Sequence, residues 1–362
     1  MIRLGMLGYW HLHGADYARA AQEHPGVEIV ALWDDDEARG SAAAADLGVP
    51  FDADLDAFLA RPEIDAVVVC SATSRHREVI TAAARAGKHV FSEKVVAATL
   101  ADAEAIIRAT DDAGIAFVVS MWRSDEPSTA AVADVLAGGA LGRITHLRIR
   151  DGHPFALSSD ELPDGRLPPQ FWDPQTAQGG ILIDLCHPVY LAVLLLGGLP
   201  VDVSASFGRV TGRVLEDNAV VTLRYDDGAL AVVETSSTAA IAPFSIEVHG
   251  TAGSLVYTAD GIGELVARRD PVVAATTPSP YGPDGAIHTR IVGGSPVWER
   301  TEVPAGPKST AFEKWIAHIE NGTRAPENVE LARRLSAIIE AAYRSDADGR
   351  RVALTDLTSV VE

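Results

Sequence analysis

Along the first 120 residues, short apolar runs alternate with Ala-rich segments of helical period. Ile2–Leu7, Val27–Trp33, 66–70, His89–Ser92 and 115–120 read as strands. Runs such as DAVVVC are apolar at consecutive positions, as a strand must be when helices cover both faces of its sheet. Between them, 16–23, Glu37–Leu47, 77–86 and Leu100–Ala113 read as helices, with Gly87 and Gly114 at helix-ending positions. Strand–helix alternation of this kind predicts a parallel, doubly wound sheet.

Beyond about residue 122 the pattern changes. A helix over 128–137 ends at Gly138-Gly139, followed by a strand at 144–150 and a Pro- and Gly-rich loop over 151–178. The run 181–196 reads as one helix. Longer alternating segments follow at 201–210, 219–225, 229–237, 245–249 and 254–257, with Asp226-Asp227-Gly228 and Gly250-Thr251-Ala252-Gly253 as hairpin turns. Residues 268–308 read as irregular, and helices return at 310–320 and 328–343. The expectation is an α/β protein of two domains. Residues 1–122 form the doubly wound domain. Residues 123–362 form a C-terminal α+β domain with a large, mainly antiparallel open sheet and terminal helices that pack back on the first domain.

Composition narrows the partners. With 30 basic against 50 acidic residues the net charge is −20, and no Lys/Arg cluster interrupts it. Nucleic acid and anionic membrane are excluded as expected partners. No apolar run approaches the ~18 residues that span a bilayer, and strand sequence from Ile2 leaves no room for a signal peptide. Two cysteines, Cys70 and Cys186, fit a reducing cytoplasm. Only Lys88, Lys94, Lys308 and Lys314 are lysines, so a lysine here is expected to do what Arg cannot, such as give up a proton.

The stretch Gly8-Tyr9-Trp10-His11-Leu12-His13-Gly14 follows the first strand. In the GxGxxG spacing, Trp10 and His13 stand where the second and third glycines belong; only Gly8 fills its role. The stretch reads either as an ordinary strand–turn–helix or as a cofactor loop. In the second case a helix starting near His11 offers N–H groups to phosphate, Tyr9, Trp10 and His11 flank the cofactor, and His13 packs. Asp34 ends the second strand 26 residues after Gly8, where a carboxylate accepts from the adenosine ribose hydroxyls and repels a 2′-phosphate, favouring NAD over NADP. Preference of acids for a helix's first turn explains Asp36 and Glu37 better than Asp34. Ser71, Thr73 and His76 follow the next strand and face the ligand crevice; Thr73 or Ser74 can also cap the next helix, and both readings can hold together. Glu93 and Lys94 end the strand after that. They form a surface ion pair, or Lys94 is desolvated and exchanges a proton with substrate; neighbours on a strand point to opposite faces, which disfavours the pair.

Trp172-Asp173-Pro174 and GGILIDLCHP (179–188) carry the remaining candidates. Asp184 and His187, three apart on a helix, share a face, either for acid–base work or to stabilise the helix start. Trp172 joins them on the substrate side. No metal is expected, because no cysteine or third histidine lies at ligand spacing. No GxSxG elbow or GxxxxGK[ST] loop occurs.

AGKHVFSEKV, GGALGRI, GGILIDLCHP, Glu216-Asp217-Asn218, GTAGSL and AAYRSDADGRRVAL, in this order and spacing, resemble the Gfo/Idh/MocA family over essentially the whole chain. The resemblance implies a Rossmann domain followed by an α/β domain, and oxidation of a ring hydroxyl of a sugar or cyclitol. It implies that His187 takes the hydroxyl proton, that Asp184 tunes His187 or holds substrate, that Lys94 polarises the reacting oxygen, and that Arg123 contacts cofactor or substrate. Three positions depart from the pattern: Val95 replaces a proline in an often cis turn, Asp184 and His187 are three rather than four apart, and the glycine loop carries Trp10. The expected activity is NAD-dependent dehydrogenation of a sugar, cyclitol or related polyol by a homodimer or homotetramer. Transient oxidation serving elimination or glycoside cleavage, and a non-catalytic sensor, are the alternatives. The loops 151–178 and 266–309 carry no motif that selects a substrate.

Overall fold

The N-terminal strands assemble in the order β3-β2-β1-β4-β5-β6, all parallel. They are β1 Ile2–Leu7, β2 Val27–Trp33, β3 Phe51–Asp52, β4 Ala66–Val69, β5 His89–Ser92 and β6 Phe117–Val119. The computed structural model describes residues 1–158, 165–239, 244–259, 286–292, 299–303, 306 and 309–358. The chain divides into two compact units, the first comprising Met1–Met121, Asp173–Gln178 and Ser309–Ser336, the second the remainder. Two segments that follow the expected boundary in sequence thus belong to the first unit.

Within the first unit the strands connect through α1 Gly14–Glu23, α2 Glu37–Leu47, α3 Leu55–Leu59, α4 His76–Arg85 and α5 Leu100–Ala113. Local chemistry sets several ends: Asp36, Asp54 and Thr99 accept backbone N–H bonds as N-caps, and Gly48 and Gly114 close helices in the left-handed conformation. The helix Ala311–Asn321 starts in a reciprocal Thr310–Glu313 capping box. Its fully buried Trp315 packs with Leu4, Met6, Val68 and Phe91 and donates from Nε1 to the Ala116 carbonyl at 3.2 Å. One face of the parallel sheet is closed in this way by residues two hundred positions away.

The second unit holds a nine-stranded sheet in the order β14-β13-β12-β11-β7-β10-β9-β8-β15, antiparallel except where β7 meets β10. Its strands are β7 Ile144–Gly152, β8 Asp202–Gly208, β9 Asn218–Arg224, β10 Leu230–Ser236, β11 Ser245–Gly250, β12 Gly253–Thr258, β13 Ile287–Ile291, β14 Glu299–Thr301 and β15 Val352–Ala353. The last two of the hairpin-linked set, β13 and β14, correct the expectation of an irregular 268–308; most of the loop 266–309 lies outside the described residues. Leu147, Ile149, Val221, Leu223, Ala231 and Val233 alternate onto one buried face. After α6 Pro127–Ala137, α7 Pro174–Ala177 and α8 Ile181–Asp184 comes α9 His187–Leu196, which lies against that face and contacts β7 and β10.

The predicted helix over 181–196 is two helices, α8 Ile181–Asp184 and α9. Leu185, at φ −102° and ψ 53°, leaves the helical region. Periodicity missed the break because apolar residues run almost unbroken through both pieces, with 181–183 and 187–193 buried.

Candidate functional site

In the first unit, strand order reverses between β1 and β4, and ligands of open parallel sheets bind beyond the carboxyl ends at such a point. Gly8 stands there at φ +93°, and a Cβ on it would lie 2.7 Å from the Ser71 backbone. Glycine is therefore required twice over, by dihedral and by close approach. Ser71 Oγ is buried beside it without a hydrogen-bond partner among the described residues. The amides of Trp10 and His11 donate to the Cys70 carbonyl at 3.0 and 3.2 Å, tying the loop to the end of β4. That tie delays the helix, which starts at Gly14 and not near His11.

Asp34 is at the end of β2, fully buried as a side chain. Its Oδ2 accepts from the Tyr9 amide at 2.7 Å, its Oδ1 from the Asp36 amide at 2.8 Å, and the Arg39 guanidinium donates to both oxygens. Asp36 caps α2.

Glu93 and Lys94 are both buried, with Lys94 Nζ 3.4 Å from Glu93 Oε1. The chain leaves the strand at Ser92, so alternation no longer separates the two side chains, and the pair is internal, not a surface one. Glu93 Oε1 also lies 3.2 Å from His13 Nδ1 and 3.8 Å from His11 Nε2, and Tyr17 donates its hydroxyl to Oε2. Burial opposes ionisation of Glu93, but His11, His13 and Lys94 outweigh it and hold the carboxyl well below the usual range; burial and Glu93 together push the Tyr17 hydroxyl up. His13, read as a packing residue, belongs to this cluster. His11, His13 and Glu93 are close enough together to surround a cation. However, His11 Nδ1 accepts from the His13 amide at 3.2 Å, so the neutral ring carries its proton on Nε2, toward Glu93. That proton and the adjacent ammonium complete a hydrogen-bonded charge cluster around Glu93.

The Lys94–Val95 peptide bond is cis, so the turn is kept without proline. His76 lies against it, Nδ1 2.9 Å from the Val95 carbonyl and Nε2 3.2 Å from that of Ser71. Burial lowers its pKa. Thr73 lies in a short 3-10 turn, Thr73–Arg75, and neither it nor Ser74 caps α4, whose start has no side-chain cap.

In the second unit, Gly180 begins α8 where a Cβ would lie 2.1 Å from the Glu216 carbonyl oxygen. Buried Glu216 accepts from the Gly180 and Leu182 amides at 2.9 and 3.2 Å and from the Tyr343 hydroxyl. This fixes the approach to Asp184, the last residue of α8, while His187 opens α9. The two do not share a face of one helix, as their spacing implied. Asp184 Oδ2 lies 3.6 Å from His153 Nε2. His153 Nδ1 accepts from the Phe155 amide at 3.3 Å, which leaves the proton of the neutral ring on Nε2. His153 gave no sequence signal, being a lone histidine in an irregular loop.

His187 Nδ1 lies 3.1 Å from the Tyr190 hydroxyl, which accepts from the Arg123 amide at 3.1 Å. Trp122 stands edge-on to the imidazole, ring centroids 5.4 Å apart. The Arg123 guanidinium forks onto Asp151 at 2.8 and 3.3 Å, reaches Glu126 at 3.1 Å and stacks on Trp122 and Phe244. Expected to touch cofactor or substrate, Arg123 is occupied here in fixing the ring and hydroxyl around His187. Trp172 is half-buried, with the Arg213 guanidinium 4.4 Å above its ring.

Residues 2–121 match the NAD-binding Rossmann fold of the GFO/IDH/MocA oxidoreductase family, and residues 129–256 match that family's C-terminal domain. The chain is 30% identical over 276 residues to a 1,5-anhydro-D-fructose reductase of Ensifer adhaerens, covering 74% of this chain and 79% of the relative. It is 29% identical over 360 residues to an inositol 2-dehydrogenase of Rhizobium meliloti, covering 98% and 99%. A solved levoglucosan dehydrogenase in complex with NADH and levoglucosan superposes with a TM-score of 0.76 at 19% identity, covering 98% of this chain and 99% of that one, which shows a common fold.

Proposed function

Because the chain belongs to the Gfo/Idh/MocA family of oxidoreductases and begins with its NAD-binding Rossmann domain, we propose that it oxidises a ring hydroxyl of a sugar, cyclitol or related polyol, or runs the reverse reduction. The observation that carries this reading is Lys94: a buried ammonium, anchored on Glu93, at the ligand-binding end of the parallel sheet. The surroundings fit a dinucleotide, since Gly8 permits close approach and Ser71 Oγ lacks a hydrogen-bond partner among the described residues. When bound, NAD supplies the hydride acceptor and NADH the donor.

Lys94 polarises the carbinol oxygen, and His187 Nε2 takes the hydroxyl proton. For Nε2 to accept, Nδ1 must carry the ring proton and donate to Tyr190, whose oxygen has a second lone pair beside the one used by Arg123. Tyr190 and Arg123 are thus positioning residues. Asp184 and Trp172 hold the substrate ring by hydrogen bonding and apolar contact, with His153 on the Asp184 carboxylate. Glu93, His76 and Tyr9 act on the cofactor side through the segments they fix. Self-association through the uncovered face of the mixed sheet, which exposes Val220 and Leu230, completes the reading. Cys70 and Cys186, both buried and without a disulfide between them, fit a reducing compartment.

The test is a titration with NADH followed by a panel of polyols and sugars with NAD. Saturable binding and accumulation of reduced nicotinamide with at least one polyol support the proposal. Product without net reduction would convert it to transient oxidation, and absence of dinucleotide binding would overturn it.

A further inference from the structure

Asp34 alone at the end of β2 would make the adenosine ribose pocket anionic, but it is not alone. A carboxylate has about four acceptor positions, and here Tyr9 N, Asp36 N, Arg39 Nε and Arg39 Nη2 take four bonds. The side chain is fully buried beneath that shell, while Arg39 is one-quarter exposed. Arg39 Nη2 also donates to Asp35 Oδ1 at 2.7 Å, and Arg39 Nη1 makes no hydrogen bond among the described residues. A second guanidinium, Arg75, forks onto Glu78 at 2.8 and 2.9 Å, lies 3.7 Å from Asp35 Oδ2 and stands over the Trp33 ring at 6.0 Å. Arg39 therefore offsets Asp34 and carries, on Nη1, the donors an arriving ligand meets, with the Arg75 guanidinium close by. Arg pairs phosphate through directed N–H donors.

We propose that Arg39 is a specificity-determining residue: it covers Asp34, presents its own donors to the adenosine ribose, and lets the pocket accept the 2′-phosphate of NADP(H) beside NAD(H). This rests on the dinucleotide reading of the site. NAD(H) remains the tighter ligand, because Asp35, Asp36 and Glu37 stay close by.

Calorimetric titration of the purified protein with NADH and with NADPH tests it. NADPH is expected to bind within about tenfold of NADH; a larger gap overturns the inference. Arg39→Ala should weaken NADPH by at least ~30-fold, the loss of a charge-assisted phosphate pair, and change NADH by less than about threefold. Equal losses for both would overturn it. Should Arg39→Ala fail to fold, Arg75→Ala, at a residue one-third exposed, decides: a several-fold loss confined to NADPH supports the inference, and an unchanged ratio refutes it. Rejection of NADPH with tight NADH leaves the proposed function standing, whereas binding of neither removes both.

Discussion

Lys94 and His187 each carry a proposed catalytic role, yet each is held, within its own unit, by a different kind of surroundings. Lys94 follows a strand of a parallel sheet and is held by charge: a buried carboxylate that itself gathers two imidazoles and a phenol. His187 opens an apolar helix and is held by neutral groups, the Tyr190 hydroxyl on Nδ1 and the Trp122 ring at its edge. The strand end removes an ammonium from water, and only opposite charge with several hydrogen bonds offsets that cost. The helix start needs only a fixed ring and tautomer, which one hydroxyl provides. Loss of a partner should therefore destabilise the fold on the Lys94 side and slow chemistry on the His187 side.

The sharpest break of this comparison comes from Lys94 itself. Lys94→Ala should lower turnover about 10³-fold, as expected for a group that polarises or protonates the reacting oxygen. Dinucleotide affinity should stay within about threefold. Steady-state kinetics beside an NADH titration check both, and unchanged turnover would remove Lys94 from the mechanism.

Glu93→Gln comes next and addresses stability. Leaving Lys94 without its carboxylate should cost about 3 kcal/mol in urea unfolding. The folded-state carboxyl lies below its ordinary value of 4.5, so its contribution is complete above that pH and is lost as pH falls through the folded-state value. The variant should accordingly show a flatter loss of stability on acidification than the parent.

Tyr190→Phe should have the smallest effect, about tenfold in turnover or ~1.4 kcal/mol, with KM and urea midpoint nearly unchanged. A large fall in stability, with turnover preserved, would invert the comparison.

Much of this molecule was legible in the chain. Consecutive apolar positions located all but the shortest strand of the parallel sheet, because a strand covered on both faces has no polar register to obscure it. Gly8 and Lys94 were legible for related reasons, one a glycine closing a strand and the other a rare residue type. The mixed sheet was found strand by strand as far as β12, its alternation intact. What the pattern could not yield was the interruption between Asp184 and His187, since Leu185 and Cys186 are as apolar as the helices they separate.

The sequence by itself determined most of the strands, where glycine is obligatory and which side chains are candidates for chemistry, because these follow from periodicity, residue type and backbone sterics among near neighbours. Only the tertiary structure decided who partners whom. His11 and His13 meet Glu93 some eighty residues on, His153 meets Asp184 from a distant loop, and Glu216 and Tyr343 together grip Gly180. Arg39, five residues from Asp34, turns back to cover it. Buried polar groups must find partners wherever the fold brings them. Sequence periodicity carries no record of those meetings.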